Sequence, residues 1–192
     1  MAEPLLEFMD VETYLRTELE SPYRREYVGC FAYPLHGTTP DAYGSSAAHN
    51  LIGGNLTCAL MPSARRLGLR LYAYQLKLSI PASQSFLYPD LMLTRPKMLP
   101  TSAFHFDTDP LLLVEIISEE TGRRDEVAKS GLYTAIPSLQ TYLMVEQAER
   151  RVYVYQRQAD SWTMQELVDA GEIAMPCLNR ALNLDEIYDG VR

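Results

Sequence analysis

The sequence predicts an α+β fold (α/β mixed), in which a mixed β-sheet is flanked by helices. Three observations carry this prediction: helical and strand-like patterns alternate irregularly, one almost wholly apolar run indicates a strand covered on both faces, and 47% of the 192 residues are hydrophobic. A chain of this length buries one sizeable core. Because no repeat, low-complexity tract or linker divides the chain, we expect one domain spanning residues 1–192.

The first third of the chain predicts two helices separated by a strand. Val11 to Glu20 has its apolar residues at helical spacing, and Asp10 precedes this segment as an N-cap. Glu26 to Tyr33 predicts a strand, and a loop rich in Gly, Pro and Ser follows it. A second helix begins at about Ala47, and we expect Pro62 to kink or end it, because proline lacks the N–H that an interior helix position donates.

The middle of the chain predicts three strands and then a helix. Leu71 to Ile80 alternates polar and apolar residues, as a half-buried strand does. Tyr88 to Thr94 predicts a second strand, which a proline introduces. Leu111 to Ile117 is apolar except at one position, so we expect a strand covered on both faces. A helix over about residues 123–135 completes this part.

The last third predicts strands followed by a short helix. Three runs rich in tyrosine, valine and leucine indicate strands: Thr141 to Val145, Arg151 to Gln156 and Ser161 to Leu167. Leu184 to Tyr188 predicts a terminal helix with Asn183 as its cap.

The charge of the chain excludes a broad nucleic-acid-binding surface. The chain carries 25 acidic and 17 basic residues, for a formal net charge of −8. A broad phosphate-binding surface requires the opposite sign. Any contact with nucleic acid is therefore expected to be local.

No segment has the pattern of a membrane span or a secretory signal. No apolar run approaches the roughly 18–20 residues that cross a bilayer, and the first ten residues carry acidic groups where a secretory signal carries basic ones. We therefore expect a cytoplasmic protein without membrane contact. Cys30, Cys58 and Cys177 are odd in number and widely spaced, so we expect reduced, buried thiols rather than disulfides or a zinc cluster.

Glu115 is the most informative residue, because it interrupts an otherwise aliphatic run. An ionised carboxylate in a low-dielectric interior is costly unless a partner compensates its charge. A cation would supply that compensation. Two alternatives require no chemistry: a buried salt bridge to an arginine, or a position at the open end of the sheet where the side chain reaches water.

Asp90 offers a second carboxylate at the start of the preceding predicted strand. If the two strands are neighbours, Asp90 and Glu115 converge on one divalent cation. Oxygen ligands of this kind suit Mg2+ or Mn2+, which bind one or two carboxylates together with waters and substrate phosphate oxygens. The sequence therefore predicts a magnesium or manganese site.

Three further residues are candidates for this site, and each has two interpretations. Lys129 lies four residues after Asp125, so the two form a surface ion pair on a helix, or Lys129 points back over the two carboxylates. Glu26 begins a strand and either completes the metal site or pairs with one of the two arginines that precede it. His49 is either a catalytic group or a hydrogen-bonded residue on an apolar-patterned helix.

Several short motifs occur in a fixed order along the chain. They are Glu26 to Gly29, His49 to Leu56, Tyr88 to Leu91, Val114 to Thr121, the positions Asp125, Lys129 and Tyr133, and Ile136 to Tyr142. Together they resemble the Uma2 family of restriction endonucleases, a branch of the PD-(D/E)XK nuclease superfamily that is common in bacteria. The resemblance covers roughly residues 10–170, and the order and spacing of the motifs make it specific.

The resemblance implies a restriction-endonuclease-like mixed β-sheet flanked by helices, with a magnesium site that hydrolyses DNA phosphodiester bonds. Asp90 and Glu115 would be the metal ligands. Most of the superfamily has a lysine where this chain has Ile117, so Lys129 would be a functional lysine supplied from the helix. The segment that begins at Ile136 departs from the family pattern in ways that affect packing more than the metal site.

These interpretations together predict a metal-dependent endonuclease that acts on DNA, with Asp90, Glu115 and Lys129 as its catalytic residues. We expect a homodimer, since cutting two strands needs two sites and twofold symmetry is the commonest closed oligomer. The alternative is a catalytically inactive nuclease-fold module that binds protein or nucleic acid, which the acidic net charge favours. A third interpretation is a purely structural domain with Glu115 in a buried ion pair.

Overall fold

The computed structural model describes residues 6–35, 46–73, 76–97, 106–117 and 129–191. Within these ranges the helices are α1 (Val11–Glu18), α2 (Ala47–Arg66), α3 (residues 129–134) and α4 (Leu184–Ile187). The strands are β1 (Glu7–Phe8), β2 (Arg25–Val28), β3 (Phe31–Pro34), β4 (Arg70–Ala73), β5 (Lys77–Ile80), β6 (Ser85–Leu87), β7 (Leu91–Thr94), β8 (Phe106–Asp107), β9 (Pro110–Ile117), β10 (Thr141–Glu146), β11 (Arg151–Gln158), β12 (Ser161–Val168), β13 (Glu172–Met175) and β14 (Arg180–Asn183). The predicted α+β class is confirmed.

Two six-stranded sheets form the framework. The first has the strand order β1-β3-β2-β6-β5-β8, the second has the order β12-β11-β10-β9-β7-β4, and β13 pairs with β14 in a separate hairpin. In the second sheet, β9 pairs in parallel with β10 and antiparallel with β7. The second sheet is therefore the mixed sheet that the sequence predicts, and the first sheet packs beside it.

Strand β9 lies at the centre of the core, and all of its residues are buried. Leu112 and Val114 belong to the cluster that includes α2, whereas Leu113 and Ile117 belong to a cluster shared by the two sheets and α3. Because successive side chains of a strand point to opposite faces, Glu115 shares the face of Leu113 and Ile117. Its carboxyl group therefore points toward the region between the two sheets.

The two predicted caps are confirmed. The Thr13 amide donates to Oδ1 of Asp10 at 2.7 Å, at the start of α1. Asn183 and Glu186 form a capping box that begins α4. Neither helix is long, and of the helices in the described ranges none is both long and apolar enough to cross a bilayer.

Proline does not end the second helix, which continues four residues beyond Pro62 to Arg66. Proline in a helix interior removes one backbone hydrogen bond and disfavours the preceding turn. Leu60 and Ala64, on either side of Pro62, are fully buried in the core cluster. This packing offsets the local cost of the proline.

Two of the predicted strands are each divided in the structure. Residues 26–33 form the hairpin of β2 and β3, because Gly29 and Cys30 adopt positive φ angles of 59° and 69° and reverse the chain. Residues 71–80 supply β4 to the second sheet and β5 to the first. The prediction of one continuous strand in each segment is therefore wrong.

The expectation of buried cysteines is also wrong for two of the three residues. Cys30 and Cys58 are exposed, Cys177 is partly buried, and all three are free thiols. Cys30 lies in the turn of the β2–β3 hairpin, and turns of this kind lie at the surface. Cys58 lies on the outward side of α2, whose buried residues include Leu56 and Leu60.

Candidate active site

The two predicted acidic residues lie on neighbouring strands. Leu91 of β7 is opposite Val114 of β9 in an antiparallel pair. Asp90, the residue before Leu91, is therefore the cross-strand neighbour of Glu115, the residue after Val114. The expectation that these strands are adjacent is confirmed. Glu115 is buried, with only 4% of its surface exposed, so it does not reach water at an open sheet edge.

Asp90 is held by contacts to both of its carboxylate oxygens. The Ile116 amide donates to Oδ2 of Asp90 at 2.8 Å. The Nε2 atom of His49 lies 3.3 Å from Oδ1 of Asp90. His49 is supplied by the first turn of α2, where the Ser46 side chain caps the helix. The start of α2 is thereby fixed against the end of β7.

Glu115 contacts two side chains from α3. The Tyr133 hydroxyl donates to Oε1 of Glu115 at 2.6 Å, and Nζ of Lys129 lies 3.7 Å from the same oxygen. Tyr133 is fully buried. Burial and the neighbouring Glu115 raise the pKa of the Tyr133 phenol well above its usual value, so the hydroxyl stays a donor at neutral pH.

Glu26 joins the same group from the first sheet. Its Oε2 atom lies 3.2 Å from Nζ of Lys129, and its Oε1 atom accepts a hydrogen bond from the Tyr88 amide at 3.0 Å. The side chain of Glu26 is 2% exposed. Of the two arginines before it, Arg25 pairs instead with Glu7 and Glu18.

The structure thus brings together all five candidate residues of the sequence: Glu26, His49, Asp90, Glu115 and Lys129. Lys129 points toward Glu26 and Glu115, whereas Asp125, the alternative partner, lies outside the described residues. Tyr133 contacts this group, but sequence reasoning gave it no role. Its position one helical turn after Lys129 is the signal, because residues four apart share a helix face.

The donor set of this group suits a hard cation. Within the described ranges, no three His, Cys, Asp or Glu side chains converge closely enough to hold a metal ion by themselves. Asp90 and Glu115 nevertheless supply carboxylate oxygens from adjacent strands, and magnesium characteristically uses one or two carboxylates together with waters and phosphate oxygens. Two acidic side chains, Glu26 and Glu115, contact one lysine, and Asp90 is the cross-strand neighbour of Glu115. The excess of acidic groups also favours a cation.

Replacing Tyr133 with phenylalanine is expected to lower the free energy of unfolding by about 1.5–3 kcal/mol, because hydrogen bonds to charged groups contribute about this much. Urea denaturation measures the change. The control is Tyr155→Phe, since the Tyr155 ring stacks on Tyr142 and its hydroxyl has no hydrogen bond among the described residues. Equal losses in the two variants would show that the Tyr133 hydroxyl does not stabilise Glu115.

The fold has a close counterpart among solved structures. A crystal structure from Anabaena variabilis, described as "a putative nuclease belonging to DUF820", superimposes with a TM-score of 0.68. The match covers 93% of this chain and 98% of that chain at 15% sequence identity. This likeness shows that the chain has the same fold as the DUF820 structure.

Sequence comparisons identify the family. Residues 12–185 match the model of the Uma2 family, described as "Putative restriction endonuclease", and the chain belongs to this family. Two uncharacterized proteins of Synechocystis sp. are similar to it. One, sll1609, is 30% identical over 81% of this chain and 85% of its own length; the other, slr1290, is 25% identical over 94% and 91%.

Proposed function

We propose that the protein is a metal-dependent endonuclease that hydrolyses DNA phosphodiester bonds, and that it acts as a homodimer to cut both strands. The observation that carries this proposal is the placement of Asp90 and Glu115 next to each other on β7 and β9, with the Lys129 ammonium 3.7 Å from Glu115. Two adjacent carboxylates are suited to bind a cation, and a lysine beside one of them is suited to offset charge on a phosphate. The family relationship favours DNA as the substrate.

Asp90 and Glu115 would hold the cation, which is Mg2+ or Mn2+. When bound, such a cation polarises the scissile phosphate and lowers the pKa of a coordinated water. The chain orients both ligands in advance: the Ile116 amide fixes one oxygen of Asp90, and the Tyr133 hydroxyl fixes one oxygen of Glu115. This fixed geometry avoids the cost of ordering the ligands during the reaction.

Lys129 would orient the attacking water and offset negative charge on the phosphate. Its ammonium group donates up to three hydrogen bonds. Nζ of Lys129 lies 3.2 Å from Oε2 of Glu26, and this ion pair fixes its position. Glu26 is fixed in turn by the Tyr88 amide. We assign Glu26 the role of a positioning residue for Lys129, and His49 the same role for Asp90.

One observation favours the alternative of a catalytically inactive module that binds protein or nucleic acid. The Lys129 ammonium lies within 4 Å of both Glu26 and Glu115, so it already compensates buried acids without a metal. The net charge of −8 also disfavours strong binding of a polyanion. Such a module would keep the fold without turnover.

Cleavage of supercoiled plasmid DNA distinguishes the two functions. The wild-type protein is expected to nick and linearise the plasmid in Mg2+ or Mn2+ and to be inactive in EDTA, because the reaction depends on the cation. Ca2+, with its longer bonds and looser geometry, is expected to support binding with little cleavage. Absence of cleavage in both Mg2+ and Mn2+, on duplex and single-stranded DNA, would favour the binding module.

A further inference from the structure

A second group of charged and aromatic side chains lies between α1 and the first sheet. The Nζ atom of Lys77 lies 4.7 Å from the ring centroid of Tyr14, 5.4 Å from that of Tyr88 and 5.9 Å from that of Phe86. A cation within about 6 Å of an aromatic ring is attracted to its face. Three rings therefore surround the Lys77 ammonium.

A second cation shares one of these rings. The guanidinium carbon of Arg24 lies 5.1 Å from the centroid of the Tyr88 ring. Arg25, the next residue, forms ion pairs with Glu7 and Glu18, both at 3.1 Å. Arg24 and Lys77 are both only partly buried.

Lys77, unlike Lys129, is not in contact with a carboxylate among the described residues. Among the described residues, no carboxylate lies within 4 Å of Nζ of Lys77 and no acceptor bonds to it. Burial lowers the pKa of Lys77 to about 8; Glu18 opposes this shift, and Arg24 and Arg25 add to it. The charges of Arg24 and Arg25 disfavour the charged form of Lys77, and a bound anion would act in the opposite direction.

Tyr88 connects this group to the candidate active site. Its amide donates to Glu26, its hydroxyl donates to Glu18 at 2.8 Å, and its ring contacts Arg24 and Lys77. Asp90 follows only two residues later, and two residues of extended chain span at most about 7 Å. The backbone of Tyr88 therefore belongs to the candidate active site, and its ring belongs to the basic group.

We propose that Arg24 and Lys77 form a phosphate subsite that binds the DNA backbone beside the candidate active site, to which Tyr88 connects them. The inference rests on the proposed function, because it takes DNA as the ligand. Such a subsite provides the local contact with nucleic acid that the net charge of −8 allows. It contributes affinity without sequence specificity, since phosphate contacts position a protein on DNA and do not read its bases.

Binding of a fluorescent DNA duplex in EDTA, measured by anisotropy over a range of salt concentrations, tests the subsite without any cleavage. The slope of log K against log salt is expected to shrink by about 0.9 for each phosphate group that a variant no longer neutralises. Lys77→Gln and Arg24→Gln should each show this reduction and bind more weakly at low salt. Lys77→Arg should keep the wild-type slope. The control is Arg65→Gln, which removes the same charge at an exposed position at the end of α2.

The outcomes separate this proposal from the nuclease proposal. A reduced slope in Lys77→Gln and Arg24→Gln supports the subsite even if the wild-type protein cleaves no DNA. Slopes equal to that of Arg65→Gln overturn the subsite even if the protein is an active nuclease, and so does a wild-type protein that does not bind the duplex. If Lys77→Gln fails to fold, the slope measured for Arg24→Gln decides the question.

Discussion

Replacing Lys129 with alanine is expected to lower the free energy of unfolding by about 3–5 kcal/mol, because breaking a buried ion pair leaves uncompensated charge in the interior. The Lys129 ammonium lies 3.2 Å from Glu26 and 3.7 Å from Glu115, whose side chains are 2% and 6% exposed. The substitution removes the ammonium group that compensates the charge of both acids. Urea denaturation at neutral pH in EDTA measures the loss.

The matched control is Lys97→Ala. Lys97 pairs with Asp109 at 2.6 Å, but both side chains are about half exposed, and surface pairs of this kind contribute about 0–1 kcal/mol. We further expect Mn2+ to reduce the loss in Lys129→Ala, because a cation bound by Glu115 replaces part of the missing charge. A loss no larger than that of Lys97→Ala would contradict the buried arrangement of Lys129.

Replacing Glu115 with glutamine is expected to slow DNA cleavage by roughly a hundredfold or more. The amide keeps the shape of the side chain and an oxygen that accepts the Tyr133 hydrogen bond, but it loses the charge that would hold the cation. Charge stabilisation by a metal ion contributes several kcal/mol to such a reaction, and each ~1.4 kcal/mol is a factor of ten in rate. Single-turnover cleavage of a labelled duplex in Mn2+ measures the change.

Glu172→Gln provides the control for this substitution, since Glu172 is an exposed residue of β13. It should cleave at the wild-type rate. Thermal denaturation of both variants ensures that lost activity does not reflect lost structure. Cleavage by Glu115→Gln at the rate of Glu172→Gln would mean that Glu115 does not act in the reaction.

The central strand and the caps were predictable because their signals are local. The apolar run of β9 needs burial on both faces wherever it lies in the fold, and all of it is buried. Asp10 and Asn183 satisfy amides within three residues of themselves, so no distant contact decides their role. The proximity of Asp90 and Glu115 could be predicted if β7 and β9 are neighbours. Asp90 precedes β7 and Glu115 lies near the end of β9, and antiparallel pairing brings these two ends together.

The divided strands and the exposed cysteines depend on contacts that the pattern does not contain. Residues 71–80 alternate regularly, and alternation is the same whether a strand continues in one sheet or passes to another. Cys30 adopts a positive φ of 69°, a conformation rare for residues with a side chain. The sequence around it signals a turn only through Gly29.

The hydrogen bonds of two tyrosines in the candidate site were not predicted. Tyr133 and Tyr88 contact Glu115 and Glu26 from elements distant along the chain, and tyrosine in a strand-rich protein predicts core packing before it predicts a hydrogen bond to an acid. The contacts of Lys129 with Glu26 and Glu115 depend on the packing of α3 against both sheets, which the sequence does not show. The sequence around Lys129 is compatible with either of its two interpretations.

The most direct test of the central claim is anomalous diffraction from crystals of the protein with Mn2+ and a short DNA duplex. We expect one manganese peak with carboxylate oxygens of both Asp90 and Glu115 as ligands, at the short bonds of about 2.0–2.2 Å that small divalent cations form with oxygen. The duplex is included because phosphate oxygens complete a site of this kind. A manganese ion bound elsewhere, with neither Asp90 nor Glu115 among its ligands, would contradict the proposed site.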